Sequence, residues 1–237
     1  MTTAERAPLR VALAQIQCPW ADSRGNLERM AVWAEQAKSG GAELVVFPEL
    51  SISGICKDER LASVTETIDG PSVAFVRALA RRLSLAVGFG FSEAAEGMPR
   101  NAYAVVGPEG TLAGVHRKNH IPELEAPFWQ GRTERPVFDV LGRRFAVSIC
   151  FRRTGRMRWK THDEMRDDFY LYVPALARDG RFWALFVNQS GRPHECLEFR
   201  GPSFVVDPGG RVVPETHDGA EQIVFATLGE DTPEGGA

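Results

Sequence analysis

Three apolar runs in this chain stop abruptly at residues able to do chemistry, and that pattern restricts the fold more than any count of residue types. Residues 43–47 run into Pro48-Glu49-Leu50, the second arm of a hairpin over 101–116 runs into Arg117-Lys118-Asn119-His120, and 143–149 ends at Cys150. A short, continuously apolar strand belongs in a sheet covered on both faces. Between such strands the spacing becomes helical. One helix spans 26–38, capped from Asp22 or Ser23 and closed by Gly40-Gly41; a second starts at Pro71 and presents Val73, Val76, Leu79, Ala80 and Leu83 on one side. Strands alternating with helices predict an α/β fold. Open α/β sheets place their chemistry at the carboxyl ends of strands.

The rest of the chain fills in that scheme. Residues 9–17 form a first strand and 85–91 another, whose Gly88 and Gly90 point to close packing or a nearby ligand. Residues 101–106 and 111–116 pair around Gly107-Pro108-Glu109-Gly110. The irregular segment 121–136 is long enough to line a site. Residues 137–140 pair across Leu141-Gly142 with a buried strand over 143–149, and a helix with a thin apolar face is expected over 153–166. Strands follow at 169–173, stopped by Pro174, at 182–187, ending at Asn188, and at 202–206, 211–213 and 222–228. With no repeat and no linker, 1–229 is expected to be one domain and 230–237 a loose tail.

A formal charge of −3 over 237 residues, with no long basic block, argues against nucleic-acid or membrane-surface partners. The four cysteines, Cys18, Cys56, Cys150 and Cys196, lie far apart, which fits neither a zinc site nor a disulfide framework. The histidines lack ligand spacing, so no metal is expected. No signal-peptide pattern or membrane-length run is present, and the default setting is the reducing cytoplasm.

A cysteine attacks a carbonyl carbon as thiolate and needs a base to form it. Glu49 can take the thiol proton, return it to a departing amine and later activate water. Lys118 can stabilise an oxyanion, helped by the backbone N–H of Phe151. A rival scheme activates Cys150 through His120 and leaves Glu49 and Lys118 unexplained. Cys18, Cys56 and Cys196 read as structural or surface thiols.

Phe47-Pro48-Glu49-Leu50, His116-Arg117-Lys118-Asn119-His120-Ile121-Pro122 and Ser148-Ile149-Cys150-Phe151 resemble the three signature stretches of the nitrilase superfamily of carbon–nitrogen hydrolases. Val11-Ala12-Leu13-Ala14-Gln15 is similar to its first strand. Asn188-Gln189-Ser190-Gly191 and 201–210 are similar to its late motifs. The resemblance implies a four-layer αββα sandwich that pairs into a homodimer or higher oligomer, with no metal or organic cofactor. It implies Glu49 as general base and acid, Lys118 as oxyanion stabiliser and Cys150 as nucleophile. A second, positioning glutamate is implied in the loop after the lysine: Glu125 matches better, with Glu123 the alternative. Trp129 and Arg152 are candidate pocket residues. The implied reaction is hydrolysis of a small linear amide or N-carbamoyl compound through a cysteine thioester.

The chain departs from the family pattern in two places. Phe151-Arg152-Arg153-Thr154-Gly155 replaces the usual acidic residue and Phe-Pro-Glu helix start after the cysteine. Only 175–181 separates Pro174 from the next strand, too short for the helix the family carries there, so that helix is expected to be missing. These departures motivate the alternative of a binding or scaffold protein that keeps the fold without the activity.

Overall fold

The computed structural model describes residues 7–149, 162–195, 197–216 and 218–229. Cys150, Phe151, Arg152, Cys196 and the tail 230–237 lie outside the described residues, as does most of the helix expected over 153–166.

The first half builds one mixed sheet. Strand β1 (Leu9–Gln15) leads into helix α1 (Ser23–Ser39), whose first turn is capped by Asp22 accepting from the Gly25 N–H. Strand β2 (Leu44–Val46), a 3₁₀ turn (Glu59–Val64) and the short β3 (Thr65–Glu66) follow. Helix α2 (Pro71–Leu83) starts at its proline, which costs no hydrogen bond in a first turn. Then come β4 (Ala86–Glu93), β5 (Arg100–Val106) and β6 (Leu112–Arg117). The sheet order is β14-β1-β2-β4-β5-β6, with β3 on β4 and β14 (Gln222–Leu228) closing the edge against β1. Strands β1, β2 and β4 run parallel through α1 and α2, and β5 and β6 return antiparallel.

Period-two alternation sorts the side chains of this sheet. Ala12, Ala14, Val45, Val87, Phe89, Ala102 and Ala104 meet Met30, Ala34 and Ala37 of α1 and Val73, Val76 and Ala80 of α2. The opposite residues, Val11, Leu13, Leu44, Ala86, Tyr103 and Val105, meet a second layer. That layer holds the ribbon of β7 (Val137–Val140) and β8 (Arg143–Ala146), and the sheet of β9 (Ala184–Phe186), β12 (Phe204–Val206) and β13 (Val212–Glu215) in the order β13-β12-β9. Helix α3 (His162–Gly180) covers the outer face of β9 and β12 through Val173 and Ala177. A further hairpin pairs β10 (Ser190–His194) with β11 (Leu197–Arg200). The layers are α, β, β, α.

Several expectations need correction. Residues 169–173 form no strand; they lie inside α3. Phe169, Val173 and Ala177 recur every four residues and turn one face to Phe186, Phe204 and Val206. That helical period outweighs the β-branched and aromatic character of the run. Pro174 sits within the helix instead of ending a strand. Residues 175–180, read as too short for a helix, are helical as the last turns of α3, and no separate helix follows it among the described residues. Only this one described helix separates β8 from β9, and the second layer is divided there into two separate pieces. The strand over 143–149 is shorter than expected, ending at Ala146, and it is not buried throughout: Arg144, Ala146 and Ser148 are exposed.

Candidate active site

The chain leaves β2 through a tight elbow that fixes Glu49. Phe47 N–H donates to Gly88 O at 2.9 Å and Ile52 N–H to Gly90 O at 3.0 Å, so the elbow stays hydrogen-bonded to β4 on both sides of the glutamate. Leu50 takes a left-handed φ of 50°, a strained conformation for a side chain of its size. Its carbonyl is held by Gly54 N–H at 2.8 Å. Close approach explains Gly90: a Cβ there would lie 2.1 Å from Leu50 N. The Glu49 carbonyl accepts from Gln189 Nε2 at 2.9 Å, which ties the elbow to the segment after β9.

Lys118 arrives from the exit of β6. Its N–H donates to Asn101 O at 2.8 Å, continuing the β5–β6 ladder one step past the last strand pair. Its side chain is only 1% exposed, and Nζ donates to Glu49 Oε1 at 2.7 Å and to Glu125 Oε2 at 2.8 Å. Burial of an ammonium is costly unless it is paired, and two carboxylates pair this one. Glu125 sits in a turn in which its N–H donates to Pro122 O and its carbonyl accepts from Phe128 and Trp129. Glu123 is exposed, so of the two alternatives only Glu125 meets the lysine. Trp129 is 1% exposed and packs with Leu50, Cys56, Leu61 and Val64 beneath the elbow.

Cys150 itself lies outside the described residues. The chain leading to it ends at Ile149, which is buried in the core shared with Tyr103 and Val105 of β5. Phe151 and Arg152 lie outside as well. His120, of the rival scheme, is exposed. Burial pushes the Cys18 thiol far up, and the Cys56 thiol to about 11, with the Asp58 carboxylate reinforcing the shift. Both are held as thiols near neutral pH. A cavity of about 560 Å³ opens between the loops after Glu49 and after Gln189, lined by Arg60, Arg192, His194 and Glu195. Among the described residues no group of three or more His, Cys, Asp or Glu is placed to hold a metal.

Two residues at the site were missed as participants. Asn101 Nδ2 donates to Glu49 Oε1 at 2.6 Å, and Gln189, noted only as part of a late motif, holds the Glu49 carbonyl. The hairpin register carried the signal for Asn101: pairing Ala102 with Arg117 puts Asn101 beside Lys118.

The buried lysine clamped by two carboxylates thus sits at the strand ends of an αββα sandwich. The profile of the carbon–nitrogen hydrolase family matches residues 10–233. An (R)-stereoselective amidase of a Pseudomonas species is 30% identical, over 87% of this chain and 80% of that protein. The structure is similar to that of XC1258, a CN-hydrolase superfamily protein from Xanthomonas campestris, with a TM-score of 0.82 at 24% identity, covering 94% of this chain and 91% of the other. It is also similar to Saccharomyces cerevisiae Nit3, a member of branch 10 of the nitrilase superfamily, with a TM-score of 0.78 at 22% identity over 96% and 92% of the two chains. The chain belongs to the carbon–nitrogen hydrolase family and is a hydrolase of carbon–nitrogen bonds.

Proposed function

We propose that the protein hydrolyses a small linear amide or N-carbamoyl compound through a thioester on Cys150, releasing ammonia or an amine. One observation supports this above the others: Lys118 is buried and fixed between Glu49 and Glu125, where a cation serves a developing negative charge better than it serves stability. In this mechanism the Glu49 carboxylate takes the proton of the Cys150 thiol. The thiolate attacks the carbonyl carbon, and the oxygen, now negative, is held by Lys118 Nζ and the Phe151 N–H. Collapse breaks the C–N bond as protonated Glu49 returns its proton to the leaving nitrogen. Glu49 then deprotonates a water that attacks the thioester, and the acid leaves while the thiol is restored. Glu125 holds Lys118 in place throughout.

A reactive thiol suits a reducing compartment, in keeping with a cytoplasmic setting. No helix among the described residues is long and apolar enough to cross a membrane. Exposed Leu171, Leu176 and Phe182 on and beside α3 favour self-association into a homodimer or larger assembly.

The test is ammonia release from linear amides, N-carbamoyl amines and ureido acids, with wild type and Cys150→Ala side by side. Release by wild type alone is expected. Silence of both, with Cys150 labelled by iodoacetamide no faster than Cys18 and Cys56, would replace the enzyme with a binding protein on the same fold.

A further inference from the structure

We infer that Asn101 is a positioning residue for the reaction proposed above, one that makes Oε2 of Glu49 the oxygen that exchanges protons. The inference rests on that proposed reaction and adds a residue and an atom to it. Two donors converge on one oxygen: Asn101 Nδ2 lies 2.6 Å and Lys118 Nζ 2.7 Å from Glu49 Oε1. A carboxylate oxygen offers two lone-pair sites, so Oε1 is filled. Oε2 receives no hydrogen bond among the described residues and is left to meet the thiol, the leaving nitrogen and the water.

Lys118 cannot set this orientation alone. The terminal torsion of a glutamate is broad and roughly two-fold, so either oxygen can turn towards a point-like ammonium. The same ammonium is shared with Glu125 at 2.8 Å, so it is not dedicated to Glu49. Asn101 breaks the symmetry. Its amide is planar, its side chain is 1% exposed, and its backbone is locked in β5, with Ser92 opposite on one side and its carbonyl on the Lys118 N–H on the other. Its Oδ1 is buried without a partner among the described residues. Among the described residues the amide's one side-chain bond is therefore the one to Glu49. A side chain serving the fold would be expected to use both ends.

The experiment reads the Cys150 thiol directly, so it needs no substrate, and then reads turnover. Iodoacetamide labelling of Cys150 near pH 7.5 is followed by peptide mass spectrometry in wild type, Asn101→Leu and Asn101→Asp. Leu removes the donor; Asp keeps the shape and replaces the donor by an acceptor, so it serves if Leu fails to fold. Thermal unfolding checks both. Labelling is expected to slow about tenfold, and kcat on the best amide to fall on the order of 10²-fold with KM within about twofold, the scale of a misaligned catalytic group. In a Glu49→Gln background, Asn101→Leu should change the labelling rate by less than about twofold, because a residue acting through Glu49 has nothing left to position. A purely structural asparagine would slow both backgrounds alike, and that result overturns the proposal. Wild-type Cys150 that labels fast, with Asn101 variants equally fast, overturns the proposal alone. Wild-type Cys150 as inert as Cys18 and Cys56 overturns the proposed reaction and this proposal together.

Discussion

Lys118 is the residue on which the site's electrostatics turn. Its ammonium is out of water, and the two carboxylates that face it remain partly wet, Glu49 at 26% and Glu125 at 16% side-chain exposure. Lys118→Met keeps the volume but leaves Glu49 and Glu125 without the cation between them. Denaturant unfolding should show a loss of about 3 kcal/mol, the lower end of the range for breaking a buried pair because both acids keep some water. Turnover should fall at least about 10²-fold, the scale of one lost oxyanion donor. His116 makes a different prediction at the same scale. Burial, with Arg135 and then Arg117 nearby, holds its imidazole below the ordinary 6.5. The folded state keeps it neutral while the unfolded chain takes up a proton, so stability is present above about pH 6.5 and declines as pH falls through and below it. Urea midpoints at pH 7.5 and 5.5 should show the decline, and His116→Phe should flatten that part of it. Glu49 and Lys118 were legible in the sequence only as a trio with Cys150, through the chemistry the three can share and the signature stretches they resemble; neither stands out in its own stretch. Asn101 was not: a polar residue opening a strand has many ordinary uses, and its meaning depends on a carboxylate 52 positions away in the chain.

Among the elements, the elbow after β2 and helix α3 carry opposite lessons. The elbow works by contact. Gly90→Ala would press a methyl against Leu50 N at 2.1 Å, with backbone rather than a flexible side chain as the obstacle. The expected cost is about 1–3 kcal/mol of stability, with a loss of turnover larger than the loss of stability explains, because Glu49 moves with the elbow. The glycines of β4 announced close packing in the sequence, and the structure supplies the neighbour. Helix α3 was misread because its aromatic and β-branched residues favour a strand locally, and Pro174 reads as a stop. What decided the helix was the partner surface: Tyr170 stacks on Phe204 at 4.9 Å, Phe204 on Phe186 at 4.9 Å, and Phe169 packs on Phe186 at 4.6 Å. No single sequence announces that β9 and β12 will present such a face. Phe204 is fully buried at the centre of this cluster, so Phe204→Ala should cost about 3–5 kcal/mol by chemical denaturation. A cost under about 1 kcal/mol would show that α3 is not held by these rings.

At the scale of the molecule, the first sheet brings several strand ends to one place. It delivers Glu49 from β2, Asn101 from β5 and Lys118 from β6, and the second layer sets Ile149 in the core shared with β5. The α/β alternation and most strands of the first sheet were legible because a parallel centre covered on both faces demands continuous apolar runs. The second layer was less legible. Its strands are short, one side of β8 is wet, and its order depends on long-range pairing such as β12 with β9. In the proposed reaction the cluster at those strand ends serves an acyl transfer on Cys150. The direct measurement is an acid quench during turnover of the best amide, with mass spectrometry of the peptide that contains residue 150. Wild type should carry the acyl mass on Cys150, the adduct should accumulate when water attack is slowed by Glu49→Gln with an activated ester, and Cys150→Ala should show neither adduct nor turnover. Ammonia release that persists in Cys150→Ala, or turnover by wild type through a pathway that never labels Cys150, would contradict it.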